Sequence, residues 1–91
     1  MIDKKQTLKI VNRINKLLAD SDTFAMVMFN TNVNGKADIT FIHYHHAYAH
    51  EESAFPPRMQ IKILHWYDDA TINKHLEMIE KVIAGEALLS D

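Results

Sequence analysis

Between Lys4 and Leu18 the apolar residues Leu8, Ile10, Val11, Ile14, Leu17 and Leu18 recur three or four positions apart. At about 100° per residue this gathers them on one broad side of a helix, which is expected to face a core. Asp20, Ser21 and Asp22 then make a polar stop. TFAMVMFN follows, short and apolar on both faces, with Phe24, Met26 and Met28 alternating against Ala25, Val27 and Phe29. That pattern suits a strand covered on both sides or one face used for association, and Met26 and Met28 are read as core filling.

Asn34-Gly35 is the strongest hairpin signal in the chain, because both residue types tolerate positive φ, so the flanking strands are expected to be antiparallel. From Lys36 to about His46, Ala37, Ile39, Phe41, His43 and His45 alternate with Asp38, Thr40, Ile42, Tyr44 and His46. Periodicity fails from Ala47 to Pro57, which reads as a loop. It resumes from Arg58 to Trp66, with Met59, Ile61, Ile63 and His65 against Gln60, Lys62, Leu64 and Trp66, predicting a third strand. Asp68 or Asp69 can cap a second helix with the stripe Ile72, Leu76, Ile79, Val82 and Ile83, and Gly85 suits its left-handed exit.

The order is helix, three strands, helix. It predicts a two-layer α+β sandwich with an antiparallel sheet and both helices on one face. Residues 1–91 are enough for a single compact domain with one core, with 86–91 a short C-terminal extension. The element order resembles that of the double-stranded-RNA-binding domain family over most of the chain, in topology. That family's loop motifs are absent. Where it carries a lysine cluster at the start of the second helix, this chain has Asp68, Asp69 and Lys74 alone, so no family site residue is carried over.

Composition narrows the classes. With 47% hydrophobic and 24% charged residues the chain reads as folded, and the absence of cysteine excludes disulfides and thiolate metal sites while suiting a cytoplasmic location. There is no run of about 18 apolar residues, and no secretion or membrane signal is read in MIDKKQTLKIV. The formal charge of -2 is unlike that of a strongly basic nucleic-acid binder. A local stripe of Lys5, Lys9, Arg13 and Lys16 on the first helix nevertheless offers phosphate or an acidic partner a track, with solvation as its plain alternative.

HYHHAYAHEE, residues 43–52, holds four histidines and two glutamates. No cofactor is expected, but one competing reading is zinc or another transition metal. That reading has His43, His45 and His65 as ligands with water or Glu51 completing the set, or His46 and His50 on one side of a helical turn. Another is a proton-sensitive surface, since neighbouring imidazoliums repel and burial disfavours their charge. The plain reading is a strand end where His43 bonds a backbone carbonyl at the core edge. Histidine with Glu51 or Glu52 could transfer protons, but there is no nucleophile motif, and an enzyme is the lesser reading.

The favoured function is a small protein-interaction, accessory or inhibitory module. It docks through the sheet face that the helices leave bare, built from Val27, Phe29, Ile42, Tyr44, Leu64 and Trp66. Its expected partner is a second copy or another protein, with nucleic acid or a histidine-based metal enzyme as alternatives.

Overall fold

The structure, a computed structural model, describes residues 2–32, 34–49 and 55–89. The elements run α1 (Lys4–Ala19), β1 (Ala25–Thr31), β2 (Ala37–Tyr44), the 3-10 turn His46–Tyr48, β3 (Arg58–Ile63) and α2 (Asp69–Ile83). The sheet is antiparallel in the order β1-β2-β3, and both helices contact it. It is therefore the α+β arrangement that the periodicities predict.

Each helix begins at a side-chain cap. The Asp3 carboxylate accepts from the Gln6 N–H at 2.8 Å while Gln6 Oε1 accepts from the Asp3 N–H at 2.9 Å, a reciprocal pair that satisfies two otherwise unpaired donors. Asp68 caps α2 by accepting from the Thr71 N–H at 2.8 Å. Hydrogen bonding from Thr71, through its side chain and then its backbone, holds the Asp68 carboxyl below its ordinary pKa. At the far end of α2, Gly85 has φ 78° and its N–H donates to the Val82 carbonyl, while the Glu86 N–H reaches back to Lys81. That geometry closes the last turn and needs a residue tolerant of the left-handed region.

The β1–β2 connection is held by Asn32, whose Oδ1 accepts from the N–H groups of Asn34 (2.9 Å) and Lys36 (3.1 Å), with Gly35 at φ 74°. The strands it joins pair from Thr31↔Ala37 to Ala25↔His43, and β2 pairs with β3 from Ile39↔Ile63 to Tyr44↔Arg58. Paired residues share a face. Ala37, Ile39, Phe41 and His43 are buried, so the helix-covered face also holds Ala25, Val27, Phe29, Met59, Ile61 and Ile63. Against it pack Val11 and Ile14 of α1 and the whole predicted stripe of α2, Ile72, Leu76, Ile79, Val82 and Ile83.

Three expectations are corrected. Leu8 is exposed and Thr7 is buried in its place, because the Thr7 hydroxyl donates to the Asp3 carbonyl at 3.0 Å and so enters the core satisfied. Met26 and Met28 lie on the face opposite the helices and do not fill the core. The third strand ends at Ile63 and does not reach Trp66. Its ladder stops because the His65 N–H donates to the Asp38 carboxylate at 2.7 Å, and the Tyr67 N–H folds back to the Leu64 carbonyl.

Candidate functional site

The face that the helices leave bare is organised in rows set by the register. Met26, Ile42 and Gln60 form one row, Met28, Thr40 and Lys62 the next, and Tyr44 stands opposite Arg58. Apolar character is therefore concentrated on β1 and β2, and β3 contributes Arg58, Gln60 and Lys62, all exposed. Phe24, just ahead of β1, stacks on Tyr44 with ring centroids 4.5 Å apart. Phe24 is 65% exposed and Met26 39%, so the two rings and the thioether make one continuous apolar strip. Ile42 and Thr40 are buried although no helix covers them, because side chains of β1 and β3 flank the central strand on both sides. Thr40 Oγ1 also accepts from Asn30 Nδ2 at 2.9 Å.

The six residues assigned to the docking face thus divide. Ile42 and Tyr44 lie on it. Val27 and Phe29 pair with Phe41 and Ile39 and pack against the core beneath the helices, which corrects their placement. The cause is parity: with both sides of β1 apolar, only its partner's register decides which set turns inward. Leu64 is half-buried and Trp66 is 59% exposed, its ring edge-on to Tyr67 at 4.8 Å in the turn after β3.

His43, His45 and His65 do not converge as three ligands. In an antiparallel pair the end of β2 meets the start of β3, so His43 lies opposite Met59 while His65 sits beside Asp38 at the other end of the sheet. Asp38 and His43 are five positions apart on β2, roughly 17 Å at the rise of an extended strand. This overturns the set His43, His45 and His65. Among the described residues no group of three or more His, Asp or Glu side chains is placed to hold a metal ion. His50, Glu51, Glu52 and Ser53 lie outside the described residues, and with them the His46–His50 pair.

Local hydrogen bonds occupy His43, His45, His65 and His75 instead. Nδ1 of His45 accepts from the Ala47 N–H at 3.0 Å and caps the 3-10 turn, with the His46 ring stacked on it at 4.3 Å. Nδ1 of His65 donates to Asp38 Oδ1 at 2.8 Å, and that of His75 donates to the Thr71 carbonyl at 2.8 Å. His43, 4% exposed, meets the Tyr48 hydroxyl at 2.8 Å, where a backbone carbonyl was expected, and Tyr48 is itself 2% exposed. The Leu89 N–H donates to the same hydroxyl at 2.7 Å. With the oxygen accepting from Leu89, every group of this cluster is satisfied when the hydroxyl gives its own proton to Nδ1 of a neutral His43 ring.

Burial, and secondarily the neighbouring His45, hold the His43 pKa below its ordinary 6.5. The unfolded chain therefore takes up a proton at a pH where the folded one does not. The stability that the neutral ring contributes is complete above about pH 6.5 and is lost as pH falls below it towards the depressed folded value. Urea midpoints measured from pH 8 to 5 are expected to decline over that window. In His43→Gln, which keeps an acceptor and cannot titrate, the decline should be smaller.

The cations of α1 stand on its outer side, and Lys5, Lys9, Arg13 and Lys16 are all exposed. Arg13 is not a free contact for phosphate: its guanidinium binds both carboxylate oxygens of Glu80 on α2, at 2.7 and 3.0 Å. The pair bridges the two helices. No helix among the described residues is long and apolar enough to cross a membrane. No family model, curated protein or solved structure matches the chain.

Proposed function

We propose that this chain is a protein-interaction module that binds a second copy of itself through the strip Phe24, Met26, Met28, Ile42 and Tyr44. The observation that carries the reading is the exposed Phe24–Tyr44 stack, continuous with Met26 on a sheet face that neither helix covers. Burying a Phe or Met side chain is worth about 1.5–3 kcal/mol, and a two-fold interface counts each residue twice. Rigid aromatic anchors also lose little conformational freedom on docking. Arg58 and Lys62 border the strip as a polar rim. A cytoplasmic setting suits a cysteine-free chain that must rely on packing.

Sedimentation velocity over a range of protein concentrations tests it. A reversible dimer is expected, and the double substitution Phe24→Ser and Met26→Ser should raise its dissociation constant by at least about tenfold, both side chains being outside the core. A chain that stays monomeric at the highest attainable concentration would sink self-association. A dimer that the double substitution leaves intact would remove the strip from the interface.

A further inference from the structure

β3 is an edge strand whose two sides differ in chemistry. On the helix side, Met59 and Ile61 line a groove of about 450 Å³ between β3 and α2, together with Lys74, His75 and Met78 of α2 and Leu89 of the tail. On the other side stand Arg58, Gln60 and Lys62. The opposite edge, β1, has no charged residue in AMVMFNT. The sheet thus offers one neutral edge and one cationic edge beside an apolar groove.

We propose that the outer edge of β3 accepts an extended segment of a partner protein in which apolar and acidic residues alternate, as a fourth strand of the sheet. A strand added there pairs its backbone with that of β3 and places side chains by parity. Residues opposite Met59 and Ile61 lower apolar side chains towards the groove, where Met59, Ile61, Met78 and Leu89 receive them. Residues opposite Arg58 and Lys62 bring carboxylates beside those cations, and opposite charges facing each other across a strand pair are favourable. Lys74 adds positive charge to the groove lining. A second copy's β3 fits poorly: in the antiparallel register centred on Gln60, Arg58 of each copy faces Lys62 of the other, and such like-charge pairs are destabilising. The cations therefore favour an acidic strand over self-pairing in that register.

The test uses a blocked peptide of alternating glutamate and leucine, ELELELE, titrated at low salt into the full chain labelled with ¹⁵N. Saturable shifts are expected on the amides of Arg58–Ile63 and along the groove side of α2. The double variant R58E/K62E should bind this peptide at least about tenfold more weakly and should prefer the charge-swapped KLKLKLK. N-methylating one of the two alternate sets of peptide nitrogens removes the donors that face β3, and for that set binding should be lost. The proposal is overturned by an absence of saturable shifts at millimolar peptide, or by shifts confined to β1 and the Phe24–Tyr44 strip. It is equally overturned if both N-methylated peptides bind as well as the parent, or if R58E/K62E binds ELELELE unchanged. Because the readout is residue-specific and the dimer is measured by mass, failure here and failure of self-association are separate results.

Discussion

Phe41→Ala is expected to destabilise the protein by about 3–5 kcal/mol, the range for truncating a buried aromatic ring. Phe41 is fully buried at the middle of the central strand, between Val27 and Ile61 in register, within the cluster that includes Ile14, Ile39, Ile63 and Ile79. Strands on both sides and helices above leave little freedom for neighbours to collapse into the space, so the cavity cost adds to the lost burial. Small domains are stable by about 5–15 kcal/mol in total, so this one substitution removes a large share of the stability. Chemical denaturation followed by circular dichroism measures it. A loss below about 1 kcal/mol would mean that the ring is not held as described, since truncating a buried phenylalanine costs about 3–5 kcal/mol.

Tyr48→Phe removes a single oxygen and is expected to cost about 2–6 kcal/mol, because two buried groups lose their partner together and each such loss costs about 1–3 kcal/mol. The hydroxyl receives the Leu89 N–H and faces His43 Nδ1, tying the tail, the 3-10 turn and the end of β2 into one hydrogen-bonded chain. Within the described residues every buried side-chain N or O atom is partnered, so the lost oxygen is not backed up by a slack network. Hydrogen exchange should show the Leu89 amide well protected in the parent protein and fast in the variant. Unchanged protection at Leu89, with unchanged stability, would show that the tail is not fastened by this contact.

Where one side of an element is polar, the chain could be read directly. The α2 stripe, the faces of β2 and the antiparallel hairpin at Asn34-Gly35 follow from periodicity and turn chemistry, and each is found. β1 is apolar on both sides, so pattern cannot choose between Phe24, Met26 and Met28 on the one hand and Ala25, Val27 and Phe29 on the other. The choice is made by pairing with Ile39, Phe41 and His43, a tertiary fact. This moved Val27 and Phe29 out of the candidate site and brought in Phe24, Met26 and Met28.

The set His43, His45 and His65 is separated for a different reason. His43 lies late on β2 and His65 follows β3, yet consecutive antiparallel strands run in opposite directions, so these positions are at opposite ends of the sheet. Asp38, which fixes His65 and ends β3, looked like an ordinary polar position on a strand. Tyr48 lies in the stretch where periodicity fails, although it is among the largest fully buried side chains. Its signal is chemical and not periodic: a tyrosine five positions after a core-facing histidine becomes its hydroxyl partner only through the turn between them.

The Arg13–Glu80 bridge spans 67 positions and the bond from the Thr23 hydroxyl to the Ile83 carbonyl spans 60, and each fastens the beginning of the chain to its end. Contacts of such long sequence separation form against a large loop-closure entropy, so they are late gains in folding and early losses in opening. Neither terminal helix can peel away without breaking attachments made by the other. Opening either segment therefore also releases its attachment to the other, so these contacts are lost together and not one end at a time.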